Sequence, residues 1–409
     1  MKRLIVAVTL MLTTALAFGS EVERLVDKLV EKGILTQGEA YKIVAEAKEE
    51  ARKDEVAMKG EIDKVPAWIK NTKFKGDARL RYEMQDKEGK TDRHRGRIRV
   101  RWGFDTQVNP QIKFGLRIAS GSAEQTSTNQ TFTNSFSSKN LWLDKAYVSY
   151  SPISIPYTSI IGGKMSNPFY NTDLVWDGDV TPEGLAVTFK NSTANSLFLN
   201  AGFFPLLEIS GDYNDPYLLG AQVGFSGKIA EKKFNAGLAY YRYEGLKDTL
   251  QADISPGYEP DGNTLTPGGA YVYNYNLWDF NIDFTPFEIP AGSFKLPVKF
   301  YGNYVVNKAD DVDEDTGYLV GFNIGKASKK GSWQLGYNYR KVEADCVPAI
   351  FNDSDMNGGA TDIKGHKLGF TYALTDHSTM GIAYLIGESL GVNRTDERNT
   401  LQLDYIVKF

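Results

Sequence analysis

The stretch RHRGRIRVRW, residues 93–102, places Arg93, Arg95, Arg97, Arg99 and Arg101 at every second position. On a helix, residues two apart do not face each other, so these charges would scatter around the cylinder. On a strand, alternate residues point to one side, and the five guanidiniums form a single row. The opposite row, His94, Gly96, Ile98, Val100, Trp102 and then Phe104, becomes apolar along its length. The segment is therefore a strand with one cationic and one greasy face.

Energetics choose which face is wet. An arginine facing lipid costs about 2–4 kcal/mol at the bilayer midplane. Five would cost on the order of 10 kcal/mol, comparable to the stability of a whole domain. Same-face neighbours lie about 6.8 Å apart, and at that distance they repel by roughly 0.6 kcal/mol in water and about 2.4 at an effective dielectric of 20. The row needs water or facing carboxylates. Neighbouring segments extend it: DARLRYEM (77–84) carries Arg79 and Arg81 between Asp77 and Glu83, and QIKFGLRI (111–118) carries Lys113 and Arg117. Together these strands make a basic wall seeded with acids.

The period of two persists from about residue 72 to the end. Strands are expected near 73–85, 93–107, 110–120, 141–151, 158–164, 184–191, 195–205 and 217–229, then 232–244, 274–285, 294–306, 317–327, 331–343, 364–375, 377–388 and 398–409. That is about 16, an even number, and most are long enough to cross a bilayer, which takes roughly 9–11 residues. The connections alternate between short turns such as VNP, AEKK and TDH and longer loops such as 165–183, 245–273 and 344–363. A soluble sandwich or propeller has no reason to sort its loops this way; an outer-membrane barrel does. The expected fold is an all-β, antiparallel transmembrane barrel of about 16 strands over residues 72–409, preceded by a short α-helical hairpin.

The remaining sequence fits an exported protein. Lys2 and Arg3, the apolar run LIVAVTLMLTTAL and Ala15-Leu16-Ala17 read as a signal peptide over residues 1–19. Residues 20–60 carry a helical apolar pattern at Val22, Leu25, Val26, Leu29 and Val30, a stop at Gly33 and a capping-box signal at Thr36 and Glu39. A periplasmic hairpin is expected there, with residues 21–60 free to contact its own second helix, a sister chain or an envelope component, and a linker follows over 61–71. The expected location is the outer membrane, with its lipid as the surrounding partner. The last strand, LQLDYIVKF, segregates Leu401, Leu403, Tyr405, Val407 and Phe409 from Gln402, Asp404 and Lys408. An aromatic final residue on such a strand resembles the signal read by the barrel-assembly machinery, which gives Phe409 that role.

Several function classes find little material. The formal charge of −4 makes the arginine row a local feature, so no nucleic-acid partner is expected. One cysteine and three histidines, His94, His366 and His377, scattered along the chain, leave no constellation for an enzyme, and no metal or cofactor is expected. The acidic loop KADDVDEDT (308–316) lacks the spacing of an EF-hand and reads as solvated surface. The loop MSNPFYNTDLVWDGDVTPE (165–183) is different. It mixes Phe169, Tyr170 and Trp176 with Asp173, Asp177, Asp179 and Glu183. Its aromatics call for burial, and its acids suit a position opposite the basic wall. Folded inward, it would narrow a channel and set a transverse field, the usual means of charge selection in pores.

Taken together, LVEKGILTQGEA, RGRIRVRWGFD, GLRIASG, LDKAYVSY, GGKMSNPFY, VWDGDVTPEGLAV and the aromatic C-terminus resemble the bacterial putative porins of the outer membrane. The resemblance implies a homotrimeric diffusion channel whose third external loop, residues 165–183 here, folds into the pore. The expected function is passive passage of ions and small hydrophilic solutes. The competing reading is a structural barrel that tethers the envelope through its N-terminal helices.

Overall fold

The computed structural model describes residues 24–409 apart from 64, 192, 212–214, 293 and 392–396. The export signal expected over 1–19 lies outside the described residues. The chain divides into two units, Met1–Asn71 and Thr72–Phe409.

In the first unit, helix α1 (24–31) is followed by helix α2 (Gln37–Asp63) and a single turn, α3 (Ala67–Lys70). The chain leaves α1 through Gly33, whose φ of 67° is the left-handed conformation that glycine tolerates best. The capping box forms as its spacing requires: the Thr36 amide donates to Glu39 Oε2 at 2.9 Å, and the Glu39 amide donates to Thr36 Oγ1 at 3.3 Å. Helix α2 runs past the expected end near Met58, and α3 follows Pro66 inside the stretch read as linker.

The second unit is one closed antiparallel sheet. All sixteen expected strands are present: β1 (Thr72–Lys87), β2 (Arg93–Gln107), β3 (Ile112–Ser120), β5 (Leu141–Tyr150), β6 (Thr158–Lys164), β7 (Glu183–Lys190), β8 (Ser196–Pro205) and β9 (Tyr217–Ile229), followed by β10 (Lys232–Glu244), β11 (Tyr275–Ala291), β12 (Phe294–Asn307), β13 (Thr316–Gly325), β14 (Trp333–Val342), β15 (Ile363–Thr375), β16 (Ser378–Ser389) and β17 (Arg398–Lys408). A two-residue strand, β4 (Gln130–Thr131), was not expected. It exists because β2 outruns β3: the loop after β3 returns to pair Thr131 with Arg97 and Gln130 with Ile98. Strand β11 also continues beyond its expected end at 285. Pro286 cannot donate a ladder hydrogen bond, and the register shifts between Phe284 and Phe287 as a bulge that lets the strand go on.

Closure joins β1 to β17 from Asp77↔Lys408 to Lys87↔Arg398. Phe409 completes the seam, exchanging backbone hydrogen bonds with Gly76 at 2.8 and 3.0 Å. Its ring occupies the space a side chain at position 76 would need. The outward rows carry Leu80, Trp102, Leu199, Phe280, Phe300, Val320, Phe370 and Leu403, all exposed. An exposed apolar belt around a closed sheet is stable in lipid, where every backbone group must find its partner within the barrel. Among the described residues, no helix is long and apolar enough to cross a membrane.

Candidate functional site: the charged interior of the barrel

Register brings the arginines of β1 and β2 face to face. Arg79 lies opposite Arg99 and Arg81 opposite Arg97, while Asp77 faces Arg101 and Glu83 faces Arg95. Like charges directly across a ladder destabilise it, so the wall requires carboxylates within reach. Most come from the strands themselves. Asp77 accepts from Arg99 Nη2 at 2.7 Å and from Arg101 Nε at 2.8 Å. Glu83, only 1% exposed at its side chain, accepts from Arg95 Nε at 2.6 Å and from Arg97 at 3.3 Å. Asp404 of β17 takes a two-pronged contact from Arg81 at 2.7 and 2.9 Å and lies 3.9 Å from Arg79.

Two loops reach the wall. Asp179, from the inward loop after β6, accepts from Arg101 Nη1 at 3.0 Å and from the Thr128 amide and hydroxyl at 3.2 and 3.1 Å. Asp355, from the loop after β14, accepts from Arg81 Nη1 at 3.0 Å and from Gln402 at 2.9 Å. Burial raises the Asp355 carboxyl, but the charges of Arg81, Lys367 and Arg79 outweigh it and hold that group well below the usual carboxylate range. Six arginines (79, 81, 95, 97, 99 and 101) thus meet five carboxylates (77, 83, 179, 355 and 404).

The other residues singled out by the sequence go elsewhere. Arg93 stands exposed at the loop end of β2. Arg117 forms an ion pair with Asp144, and Lys113 lies 3.5 Å from Asp105, both below the arginine ladder toward the short turns. Asp173 is half-exposed and sits 3.7 Å from Lys367. Asp177 makes no ion pair with the wall: it accepts from the Ser354 amide at 2.9 Å and hydroxyl at 3.2 Å. Burial first, then the nearby Asp353 carboxylate, push the Asp177 carboxyl well above its ordinary range. Glu183 departs from the expectation that it belongs to the inward loop. It opens β7 instead, exposed, two residues before the outward Leu185, and pairs with Lys164 at 2.7 Å. The strand starts where cross-strand pairing with β6 begins, and that register takes Glu183 out of the loop.

The inward loop is held by its aromatic residues. Phe169 meets Tyr241 edge-on at 5.0 Å, and Trp176 lies 5.7 Å from Tyr241 and 5.4 Å from Phe351. Tyr170 donates to Asp283 at 2.6 Å and Thr172 to Asn303 at 2.5 Å, fixing the loop to strands β11 and β12. Its partner is the loop after β14: the Asp177 amide donates to the Phe351 carbonyl at 2.7 Å, and buried Arg340 of β14 anchors Asp353 at 3.0 Å. Sequence reading missed this second loop. The dense DSD at 353–355 is its signal, but nothing in a linear string says which long loop turns inward.

The family described as Putative porin matches residues 86–264 and 281–409. Among solved structures, OprB of Pseudomonas putida at high pH is similar over 83% of this chain and 95% of its own, with a TM-score of 0.57 and 14% identity. The low-pH structure of the same protein gives 0.50 at 12% identity, over 83% and 93%. At such identities the likeness is one of fold. No curated protein matches the chain.

Proposed function

Because the chain belongs to the Putative porin family, we propose that it is an outer-membrane channel for passive diffusion of ions and small hydrophilic solutes, narrowed between the arginine wall and the inward loop. The observation that carries this reading is the pairing of an apolar outer belt with an inner face of ionised groups. Apolar residues outside and ionised residues inside are how a closed barrel that encloses an aqueous passage divides its two faces.

The narrow point is the contact of Asp179 with Arg101, which ties the loop to the wall at 3.0 Å. Solutes pass beside this tie, screened by size and by the local field. With six guanidiniums against five carboxylates, the wall exerts a weak net field, so discrimination between small anions and cations is modest. The trimeric state belongs to the same proposal, as does recognition of Phe409 during assembly.

Reconstitution into planar bilayers tests the reading. Discrete conductance steps and a small reversal potential in a salt gradient are expected; a purified, folded barrel that gives no steps would sink it. Deleting residues 21–60 separates the channel from the tethering alternative, because conductance should survive the deletion.

A further inference from the structure

Below the arginine ladder, a second group of charges surrounds a cavity of about 240 Å³ lined by Lys75, Asp77, Arg101, Asp105, Arg117 and Lys145. Its floor is the β2–β3 contact at Gly103, where an added Cβ would lie 2.2 Å from the Leu116 carbonyl oxygen and 2.8 Å from the Arg117 Cα. The strands approach so closely that no side chain rises from that position, and the space above it stays open.

Register makes this cavity electrostatically unlike the wall above it. Arg117 and Lys145 are direct cross-strand partners, and a bulge between Arg117 and Ile118 brings both Asp144 and Lys145 beside that arginine. Two cations in facing positions cost stability unless an anion lies between them. Asp144 is committed to Arg117. Asp105 is shared by Lys75 at 2.5 Å, Lys113 at 3.5 Å and the Tyr147 hydroxyl at 2.8 Å. Asp77 serves Arg99 and Arg101. Lys145 has no carboxylate within ion-pair distance among the described residues; its ammonium donates to the Ser166 hydroxyl at 2.6 Å, at the start of the inward loop. The lining itself carries four cations (Lys75, Arg101, Arg117 and Lys145) against two carboxylates (Asp77 and Asp105). Arg117 and Asp105 keep 23% and 22% of their side-chain surface exposed, so the cluster meets water.

We infer that this cavity is a binding subsite for a small oxyanion, such as phosphate or a phosphate-bearing hydrophilic solute, with Lys145 as its principal uncompensated charge. An oxyanion between Lys145 and Arg117 would accept from an ammonium and a guanidinium at once and would relieve their mutual repulsion. A chloride ion offers the charge without the directed acceptors, so the site favours oxyanions over halide. The inference rests on the channel reading for its role in passage, but not for the binding itself.

Isothermal titration of the detergent-solubilised full chain with inorganic phosphate tests it directly. Saturable binding is expected in the wild type, weakened about tenfold by Lys145→Gln, the loss of one charge-assisted hydrogen bond, and retained by Lys145→Arg. In bilayers carrying chloride current, phosphate should produce a saturable block with the same dependence on residue 145. Protection of Lys145 from an amine-reactive reagent by phosphate, mapped by mass spectrometry on the wild type, gives a readout that needs no variant. No binding in the wild type, equal binding by Lys145→Gln, or an unprotected Lys145 would overturn the proposal. Binding without any conductance would strike the channel reading and leave the subsite standing.

Discussion

On β1 and β2 the inward positions read Asp77, Arg79, Arg81, Glu83 and then Arg95 through Arg101, whereas on β10 to β14 they include Tyr241, Tyr243, Tyr275, Leu277, Val305, Leu319 and Val342. The first side is an ionic ladder balanced mainly by acids on its own and adjacent strands. The second is mainly apolar, with buried Asp279, Asp283 and Arg340 set into it, and the loops after β6 and β14 lie on it through Trp176, Val347, Ile350 and Phe351. A barrel wall can be satisfied in either way, but the consequences differ. Charges hold water and keep space open; an apolar bed gains stability by expelling water and captures whatever greasy loop can reach it. On the proposed channel reading, the charged side is the one that solutes would pass.

The sharpest way to break this contrast is to remove the anchor of the apolar side. Trp176→Ala should cost about 3–5 kcal/mol, as large buried aromatics do, and should raise single-channel conductance as the loop loosens; denaturant unfolding and bilayer recording check both. Second in size is Glu83→Gln, which leaves Arg95 and Arg97 without their shared carboxylate. Removing one partner of a buried pair costs about 3 kcal/mol or more, and the reversal potential should move toward anion preference.

A smaller effect separates the two sides by pH. The raised Asp177 carboxyl holds its proton more tightly in the folded loop than in the unfolded chain. Its stabilising contribution is present at acid pH and declines as pH rises from the ordinary carboxylate range toward the raised value. Asp355 behaves in the opposite sense: its contribution is present at neutral pH and fades only as pH falls below the ordinary range toward its depressed value. Conductance should thus be steadier at mildly acid pH than at alkaline pH, and Asp177→Asn should abolish that dependence, as a pH series of open-channel noise would show. The smallest effect belongs to Arg93→Ala at the exposed rim. Stability should change by less than about 0.5 kcal/mol, and selectivity should stay put.

Legibility in the sequence followed the same division. The ionic side could be read because alternation of Arg with Val, Ile and Trp leaves one face that lipid will not accept. On β10, Leu238-Ala239-Tyr240-Tyr241 presents apolar or aromatic residues on both faces, so the pattern does not tell lipid from lumen. There the burial of Tyr241 beneath Phe169 and Trp176 makes the distinction. The loop acids show the limit most clearly. Asp173, Asp177 and Asp179 stand within seven residues, yet they meet Lys367, Ser354 and Arg101 respectively.

What the sequence determined by itself was the sixteen-strand frame and the separation of charged from apolar positions in RHRGRIRVRW, since each follows from local period and transfer energy. Only the tertiary structure decided how those charges are spent. The pairing of Asp404 with Arg81, of Asp355 with the same guanidinium and of Lys145 opposite Arg117 joins residues far apart in the chain. Strand register and loop docking set those distances, and neither is written in any short stretch of sequence.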